Sequence, residues 1–521
     1  MDEFIKENKI FWSQFTINNN GKKLLVEEPI RPDITHANAI FVAIINQARG
    51  YSPVWLYNKH CQKIELLQSY FPGVNITIIQ KKLLVRKFRV LFIVLIKFLK
   101  IYFTKDILKF SYNGVKYGDI IYDAYLSKYQ VATIRKIDTR IIKLIAFCIF
   151  RHIKIRNILQ NDDYAGVLVS HQIGISSGVM LRVALAYGYQ GYLRCGHHQA
   201  TLQRFESIDE VYDYEYKPLP FEIRLIIKRL RTKNLEKVFL KVSKKQIGGE
   251  GDQSISDAFS QDKHYYTNRK FFNQDYHLDS NKKNIFVMLH AFNDYPHSHF
   301  RWMIFKDYYD WFIQTLKFAK KDKSVNWIFK QHPSIKHYIT KDISFKEIFS
   351  KCPENIIYID ENNQIDTQSL IYCADLIVTC LGSAGFELPA LGAIPSVTAG
   401  DNFYTQLGFA IEPKSREEYY DVLSNVSKIE KLSSQQQKIA KATYIYIYQF
   451  SRVRVSVCPM LSLDKGRDKN INYWYWKKVT KLYQQESVNF LNEVQTYIKD
   501  VSKSDFKKLN SFKEYCTRHN L

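Results

Sequence analysis

The sequence has 521 residues, more than one hydrophobic core ordinarily organises, and therefore predicts two domains of roughly 200 to 250 residues. A hydrophobic content of 46% excludes a disordered chain, and the eight scattered cysteines form no CxxC pair, which excludes a disulfide framework. The formal charge of +24 indicates a polyanionic neighbour or substrate, or else serves general solubility, and the absence of a basic-aromatic module argues against nucleic acid. With no secretory signal pattern at residue 1, we expect a cytoplasmic protein.

The first half of the chain alternates helix and strand patterns. Residues 34–58 predict a helix, a turn at Gly50 and a strand. Further on, the sequence predicts a strand at 167–170, a glycine- and serine-containing loop, a helix at 179–187 and another strand. This strand–helix–strand rhythm is typical of a parallel sheet, and we assign residues 1–245 to an N-terminal Rossmann-like domain.

A strongly basic segment lies between Lys81 and Lys105, with eight basic residues and no acidic one. The charges interrupt it too often for a membrane-spanning helix. At about 100° per residue the charges form one stripe and the rest of the circumference is apolar, as in helices that lie at a membrane interface. A well-buried helix whose charged stripe meets water explains the same pattern. Residues 136–156 are similar but less regular, and burial is favoured there.

The second half begins after an aperiodic connector at 246–283, which we interpret as a linker. Residues 284–431 then predict a second doubly wound domain, and residues 432–521 predict helices that pack back across the domain junction. We therefore expect two doubly wound α/β domains that face each other across a cleft. The predicted strands of the second domain lie at 285–289, 326–330, 355–359, 375–379 and 394–398, and its helices at 308–320, 344–349 and 367–372.

Ligands of open α/β sheets bind outside the carboxyl ends of the strands, so polar residues that follow predicted strands are candidates. Lys330 ends one such strand, and His332 comes two residues later. Pro333 biases His332 toward an extended backbone, which would present an imidazole able to donate to phosphate oxygen. The structural alternative is a histidine that bonds a neighbouring carbonyl at a turn.

The stretch TCLGSAGFELPALGAIPS, residues 379–396, follows another predicted strand. Ser383 predicts an N-cap for a helix that begins near Ala384, and the flanking Gly382 and Gly385 would leave amides uncovered for a phosphate. Pro389 conflicts with that start, since proline suits only the first helical turn, so the helix begins nearer Phe386 or kinks. The stretch matches neither GxGxxG nor a Walker loop, and a close-packed turn is the structural alternative.

Histidines follow several other predicted strands. His290 and Asp294 lie in a segment with two more histidines, whose spacing matches no zinc motif, so we predict donor or acceptor contacts rather than a metal. In the first half His171 follows one strand and the pair at 197–198 follows another, and both are expected at the same cleft.

The pair KQHPS (330–334) and CLGSAGFELPALGAIPSV (380–397) resembles the C-terminal half of GT-B glycosyltransferases of bacterial surface polysaccharides, in particular capsule biosynthesis proteins that include Kdo transferases. The His-Pro motif with a serine-containing loop is also similar to polysialyltransferases and some bacterial sialyltransferases. The resemblance implies that His332 and Ser383 contact the phosphate of a CMP-activated sugar, and that Glu387 lies near the ribose. It covers residues 284–400 and is only architectural over the first half.

These observations together predict a metal-independent glycosyltransferase with a GT-B α/β fold. Its donor would be a nucleotide-activated sugar, favoured CMP-linked, Kdo or sialic-acid-like, bound as substrate without a further cofactor. The acceptor would be a lipid-linked or polysaccharide capsule or lipopolysaccharide glycan, at an anionic membrane surface on the inner face of the plasma membrane. The candidate catalytic residues are Asp294, His290 and His171, and the candidate donor-binding residues are Lys330, His332, Pro333, Gly382, Ser383, Ala384, Gly385 and Glu387.

Three alternatives stay open at this point. A teichoic-acid-type polyol-phosphate transferase uses a related fold with histidine-containing phosphate sites. A non-catalytic membrane adaptor would keep the fold without the activity, and a nucleotide-sugar epimerase of the same fold would need no lipid acceptor. The sugar, the linkage, and retention versus inversion are not predicted.

Overall fold

The structure is a computed structural model that describes residues 1–18, 21–73, 76–79, 87–213, 217–247, 263–332, 335, 337–361, 365–461 and 470–519, with backbone only for 87–89. Pro333, residues 81–86 of the predicted amphipathic segment and residues 248–262 of the predicted linker lie outside this range. The chain forms two compact units. Unit 1 comprises Met1–Ala124, Lys136–Glu215 and Arg452–Ser511, and unit 2 comprises Tyr125–Arg135, Tyr216–Ser451 and Phe512–Leu521.

Both units are α/β. The strands are β1 (Lys23–Val26), β2 (Ser52–Leu56), β3 (Thr77–Ile79), β4 (Ser111–Tyr112), β5 (Val115–Lys116), β6 (Tyr164–Val169), β7 (Gln190–Gly196), β8 (Gln199–Phe205), β9 (Asn284–Met288), β10 (Asn326–Lys330), β11 (Ile356–Ile359), β12 (Leu376–Thr379), β13 (Ser396–Thr398), β14 (Ala410–Ile411) and β15 (Val453–Arg454).

The helices are α1 (Asp2–Trp12), α2 (Pro32–Arg49), α3 (Ile64–Gln68), α4 (Lys87–Thr104), α5 (Gly118–Tyr129), α6 (Thr139–Gln160), α7 (Val179–Ala186), α8 (Pro220–Ile247), α9 (Arg269–Asp275), α10 (Tyr308–Ala319), α11 (Phe345–Phe349), α12 (Leu370–Cys373), α13 (Ala384–Gly392), α14 (Arg416–Ser424), α15 (Ser434–Ile445), α16 (Ile471–Val501) and α17 (Phe512–Arg518). Wide helical turns at Gly174–Gly178 and Tyr446–Phe450 adjoin α7 and α15.

The sheet of unit 1 runs in the order β15-β8-β7-β6-β1-β2-β3. Strands β3, β2, β1, β6 and β7 pair in parallel, whereas β8 is antiparallel to β7 and β15 is antiparallel to β8. The first strand of this unit, β1, lies between β2 and β6, so the chain order reverses between β1 and β6. This is the switch point of a doubly wound sheet.

The sheet of unit 2 runs in the order β11-β10-β9-β12-β13-β14, and its pairs are parallel. Numbered within the unit, this is the 3-2-1-4-5-6 order of the Rossmann fold, with its switch point between β9 and β12. The strands predicted in this half are confirmed to within two residues at each end.

The helix predicted before Gly50 is confirmed as α2, and its ends show why it forms there. Pro32 occupies the first helical position, where its missing N–H is not needed, and Gly50 ends the helix with a φ of 72°. Helix α16 packs against α2 and buries Trp476 and Tyr483 in the core of unit 1. The last long helix of the chain therefore returns to the first unit.

The boundaries of the two compact units differ from the predicted domain boundaries. Helix α8, which is broken at Arg231 with a φ of 52°, belongs to unit 2 and packs against α15. Residues 263–283 include α9, whose Phe272 is buried in unit 2, so this part of the predicted linker is packed. Among the described residues no helix is both long and apolar enough to cross a membrane.

Candidate functional site

The switch point of unit 2 brings together residues that follow three adjacent strands. Met288, near the end of β9, lies in register with Lys330 of β10 on one side and Thr379 of β12 on the other. At the usual spacing between strands, the backbones at 330 and 379 are therefore about 10 Å apart. His290 and the turn at 380–383 follow directly, so the sequence-predicted residues of this sheet lie at one edge.

His290 holds the turn that follows β12. Its Nε2 accepts a hydrogen bond from the Leu381 amide at 3.1 Å and lies 3.2 Å from the Thr379 hydroxyl oxygen. The ring stacks on Tyr308 at a centroid distance of 4.3 Å. Burial, with a smaller effect from nearby His332, lowers the pKa of His290 to about 3. The imidazole is therefore neutral, and because Nε2 is an acceptor its proton is on Nδ1.

Gly382 and Gly385 lie where neighbouring side chains pack tightly against the backbone of the turn. A side chain at Gly385 would collide with the Tyr404 hydroxyl, which donates to the Gly382 carbonyl at 2.9 Å. A side chain at Gly382 would press on the Thr379 hydroxyl, which accepts a hydrogen bond from the Gly382 amide at 3.0 Å. The compact-turn interpretation thus accounts for both glycines.

Helix α13 begins at Ala384, the start predicted from Ser383, rather than nearer Phe386 as Pro389 indicated, and it continues through Pro389. Since proline has no N–H, the Gly385 carbonyl lacks its intrahelical donor four residues later. The buried Ser396 hydroxyl replaces that donor at 2.7 Å. This contact is how the helix tolerates a proline beyond its first turn.

Two amides at the start of α13 have no acceptor among the described residues. The amides of Leu381, Gly382 and Gly385 all bond within the protein. Those of Ser383 and Ala384 donate to no atom of the described residues. The Ser383 side chain is exposed and makes no capping bond, so the predicted side-chain cap is wrong. A hydroxyl and two N–H groups at a helix N-terminus form a suitable set of donors for an anion.

Lys330 adds a positive charge at the same edge. Its side chain is 6% exposed, and no salt bridge joins its ammonium to a carboxylate in the part of the chain that is described. Burial and the neighbouring Lys263 lower the pKa of Lys330 to about 8, although Asp366 acts in the opposite direction. His332 follows at the strand exit, and its amide donates to the Gln331 side chain at 3.0 Å.

Glu387 lies in the first turn of α13 and is 8% exposed. The Tyr448 hydroxyl, from the wide turn after α15, donates to its carboxylate. The Tyr448 and Phe386 rings lie 5.6 Å apart, so aromatic packing holds this contact in place. Tyr448 could not be predicted as the partner of Glu387, since it is one of several tyrosines in a helical run.

Asp294 lies in a turn after β9, where its amide donates to the Ala291 carbonyl at 3.0 Å. The residue is accessible to solvent, but desolvation by the surrounding protein raises the pKa of its carboxyl to about 6. Among the described residues no three His, Cys, Asp or Glu side chains are grouped as metal ligands.

The switch point of unit 1 contains a carboxylate that the sequence analysis missed. Glu27 lies directly after β1 and is 5% exposed. Its carboxylate accepts from the Ser170 backbone amide at 2.8 Å, the Asn38 side-chain amide at 3.0 Å and the Ser177 hydroxyl at 2.6 Å. It therefore fixes the loop that carries His171. Its signal was present in the sequence as an acidic pair immediately after the apolar run LLV.

The topology defines an α/β protein of two doubly wound Rossmann-like units, with the last long helix returning to the first unit, as expected for the GT-B class. No model of a known protein family matches the chain. A search of curated proteins likewise finds no match.

Solved structures give remote similarities only. A beta-Kdo 2,4 transferase from Thermosulfurimonas dismutans has 10% identity and a TM-score of 0.30, covering 54% of this chain and 79% of that one. A UDP-GlcNAc 2-epimerase from Neisseria meningitidis has 12% identity and a TM-score of 0.25, covering 81% and 95%. A glycosyltransferase from Streptomyces sp. SF2575, complexed with thymidine diphosphate, has 9% identity and a TM-score of 0.24, covering 89% and 100%. Such values assign no activity to this chain.

Proposed function

We propose that the chain is a metal-independent glycosyltransferase that uses a nucleotide-activated sugar. The observation that carries the proposal is the edge of the unit 2 sheet. The Ser383 and Ala384 amides, which donate to no atom of the described residues, and the exposed Ser383 hydroxyl follow β12 there. The Lys330 ammonium, which has no salt bridge among the described residues, lies at the end of β10, on the other side of β9. Each is a donor or a positive charge, and together they match the needs of a phosphate group.

The chemistry of transfer uses these donors at the leaving group. The bond between the anomeric carbon and the donor phosphate oxygen breaks, and the acceptor hydroxyl oxygen bonds to that carbon while its proton passes to a base. The departing phosphate gains negative charge. The Ser383 and Ala384 amides and Lys330 would stabilise this charge, because preorganised donors act most strongly where charge develops.

Asp294 is the proposed base. A carboxylate whose pKa is near 6 is mostly ionised at neutral pH and yet basic enough to take a proton. His290 is proposed to position the turn rather than to react, because its Nε2 already accepts the Leu381 amide. His171 stays a proposed acceptor-side residue on the loop that Glu27 holds.

The finer assignments rest on the sequence resemblance. The His-Pro motif and the serine loop favour a CMP-linked donor, Kdo or sialic-acid-like, with His332 on phosphate. Glu387 is proposed near the ribose, where the Tyr448 hydroxyl would fix its carboxylate. We propose a bacterial capsule or lipopolysaccharide glycan as acceptor and a peripheral location on the inner face of the plasma membrane.

A thermal-shift titration with CMP, UDP, GDP and CDP tests the proposal. A ligand that binds only the folded protein at 100 times its Kd stabilises it by about 2.7 kcal/mol, which is a readily measured shift. Ser383→Ala and Lys330→Met should reduce the shift, whereas Ser427→Ala, an exposed serine of the same unit, should not. Stabilisation by none of the four nucleotides would overturn the proposal. Turnover of CDP-glycerol instead of a CMP-sugar would favour the polyol-phosphate transferase.

A further inference from the structure

Helix α4 carries an exposed apolar face that its own unit does not cover. Val90, Val94 and Ile101 are at most 3% exposed and form a narrow buried stripe. Opposite them lie large apolar side chains that are 42% to 76% exposed: Leu91, Phe92, Leu95, Ile96, Leu99, Tyr102 and Phe103. At about 100° per residue these seven fall within an arc of about 140° that contains no charged residue. The interpretation of α4 as a well-buried helix is therefore wrong.

Basic residues border this face. Lys97 and Lys100 lie together on one flank, between the apolar face and the buried stripe, and Lys105 follows the helix with its ammonium 4.0 Å from the centre of the Tyr102 ring. Helix α6 packs beside α4, and its own exposed residues include Lys143 and the 56% exposed Phe147, one helical turn apart. The sequence contains no Asp or Glu from residue 66 to residue 105.

We infer that the α4 face inserts into the interface of an anionic lipid membrane, with the helix parallel to the surface. Apolar side chains of such helices enter the boundary between headgroups and acyl chains to a depth of about 5 to 10 Å, and flanking lysines meet anionic headgroups. A second copy of the chain fits less well, because pairing two such faces would bring two lysine flanks together without acidic partners.

This placement at the membrane also favours one class of acceptor. With α4 in the interface, unit 1 is held at the lipid surface, where a lipid-linked acceptor is concentrated and a free sugar is not. That second step rests on the proposed transferase function, whereas insertion of α4 does not.

Vesicle flotation of the full-length protein tests the inference. Phosphatidylcholine vesicles with roughly one quarter phosphatidylglycerol are compared with phosphatidylcholine alone. Phe92→Ser together with Phe103→Ser should weaken partitioning at least about tenfold, since burying one phenylalanine stabilises by about 1.5 to 3 kcal/mol and 1.4 kcal/mol is tenfold. Lys97→Gln with Lys100→Gln should reduce the preference for anionic vesicles.

The matched control is Phe271→Ser, because Phe271 is 59% exposed but lies on α9 in unit 2. It should float like the wild type. The inference is overturned if the wild type does not float with anionic vesicles, if the double phenylalanine variant floats as well as the wild type, or if light scattering shows a dimer that this variant dissociates. Nucleotide thermal shifts on the same variants separate the two proposals, since loss of flotation should leave nucleotide binding unchanged.

Discussion

The hydrogen bond from the Ser396 hydroxyl to the Gly385 carbonyl should contribute a measurable part of the free energy of unfolding. Pro389 leaves the Gly385 carbonyl without its helical donor, and the Ser396 hydroxyl takes that place at 2.7 Å in a fully buried position. Ser396→Ala removes the donor. An unsatisfied buried carbonyl costs about 1 to 3 kcal/mol, so we expect the unfolding free energy to fall by about that amount.

The proline provides the internal test. Pro389→Ala restores an N–H that can reach the Gly385 carbonyl through the ordinary helical pattern. In that background Ser396→Ala should cost only about 0.5 kcal/mol, which is the low end for a replaceable hydrogen bond. The double-mutant cycle should therefore give a coupling energy of about 1 to 2 kcal/mol between positions 389 and 396.

Urea unfolding gives the free energies, provided that the m values stay constant across the four proteins. Amide exchange of α13 locates the effect. Ser424→Ala, which removes an exposed hydroxyl that bonds within α14, is the control and should change little. Equal costs of Ser396→Ala in the proline and alanine backgrounds would refute the reasoning, because the restored helical N–H would then not replace the Ser396 hydroxyl at the Gly385 carbonyl.

Three further predictions concern the site. His290→Phe keeps an aromatic ring against Tyr308 but leaves the Leu381 amide without an acceptor, and urea unfolding should show a loss of about 1 to 3 kcal/mol. Nucleotide affinity measured by calorimetry should weaken as the pH rises through about 8, where Lys330 loses its proton, and Lys330→Met should bind weakly at every pH. The transfer rate should fall as the pH drops below about 6, where Asp294 becomes protonated, and Asp294→Asn should be slow with no such inflection.

The strands of unit 2 were predictable because each is a short apolar run bounded by polar turns, as in NWIFK and DLIVT. Strand β15 was not, since a two-residue strand has no periodicity and gains its place only by pairing with β8. The prediction of a side-chain cap at Ser383 was wrong because of the backbone conformation of that residue. Its φ of −61° and ψ of −28° are already helical, so the hydroxyl does not fold back over the first turn.

The candidate site was predictable in its positions but not in its electrostatics. Residues after strands could be chosen from topology alone, which is how His290, Lys330 and Ser383 were found. The neutrality of His290 depends on its burial, and the lowered pKa of Lys330 depends on burial and on Lys263, which is distant in sequence. Glu27 was not predicted, because the candidates chosen in the first half of the chain were histidines that follow strands.

Each unit uses one buried side chain to hold the turn at its switch point, and this side chain is a carboxylate in unit 1 and an imidazole in unit 2. In each unit, a side chain one or two residues beyond the first strand of the sheet reaches across the switch point. It accepts a hydrogen bond from a backbone N–H one or two residues beyond the fourth strand. Unit 1 uses Glu27 and unit 2 uses His290. A carboxylate has no hydrogen to donate to a phosphate, and its negative charge repels one. A neutral imidazole adds no charge, so the helix N-terminus beside it still attracts anions. One position per unit would thus decide which half of the molecule tolerates a phosphate group, and exchanging those two side chains would be expected to close one crevice to nucleotides without opening the other.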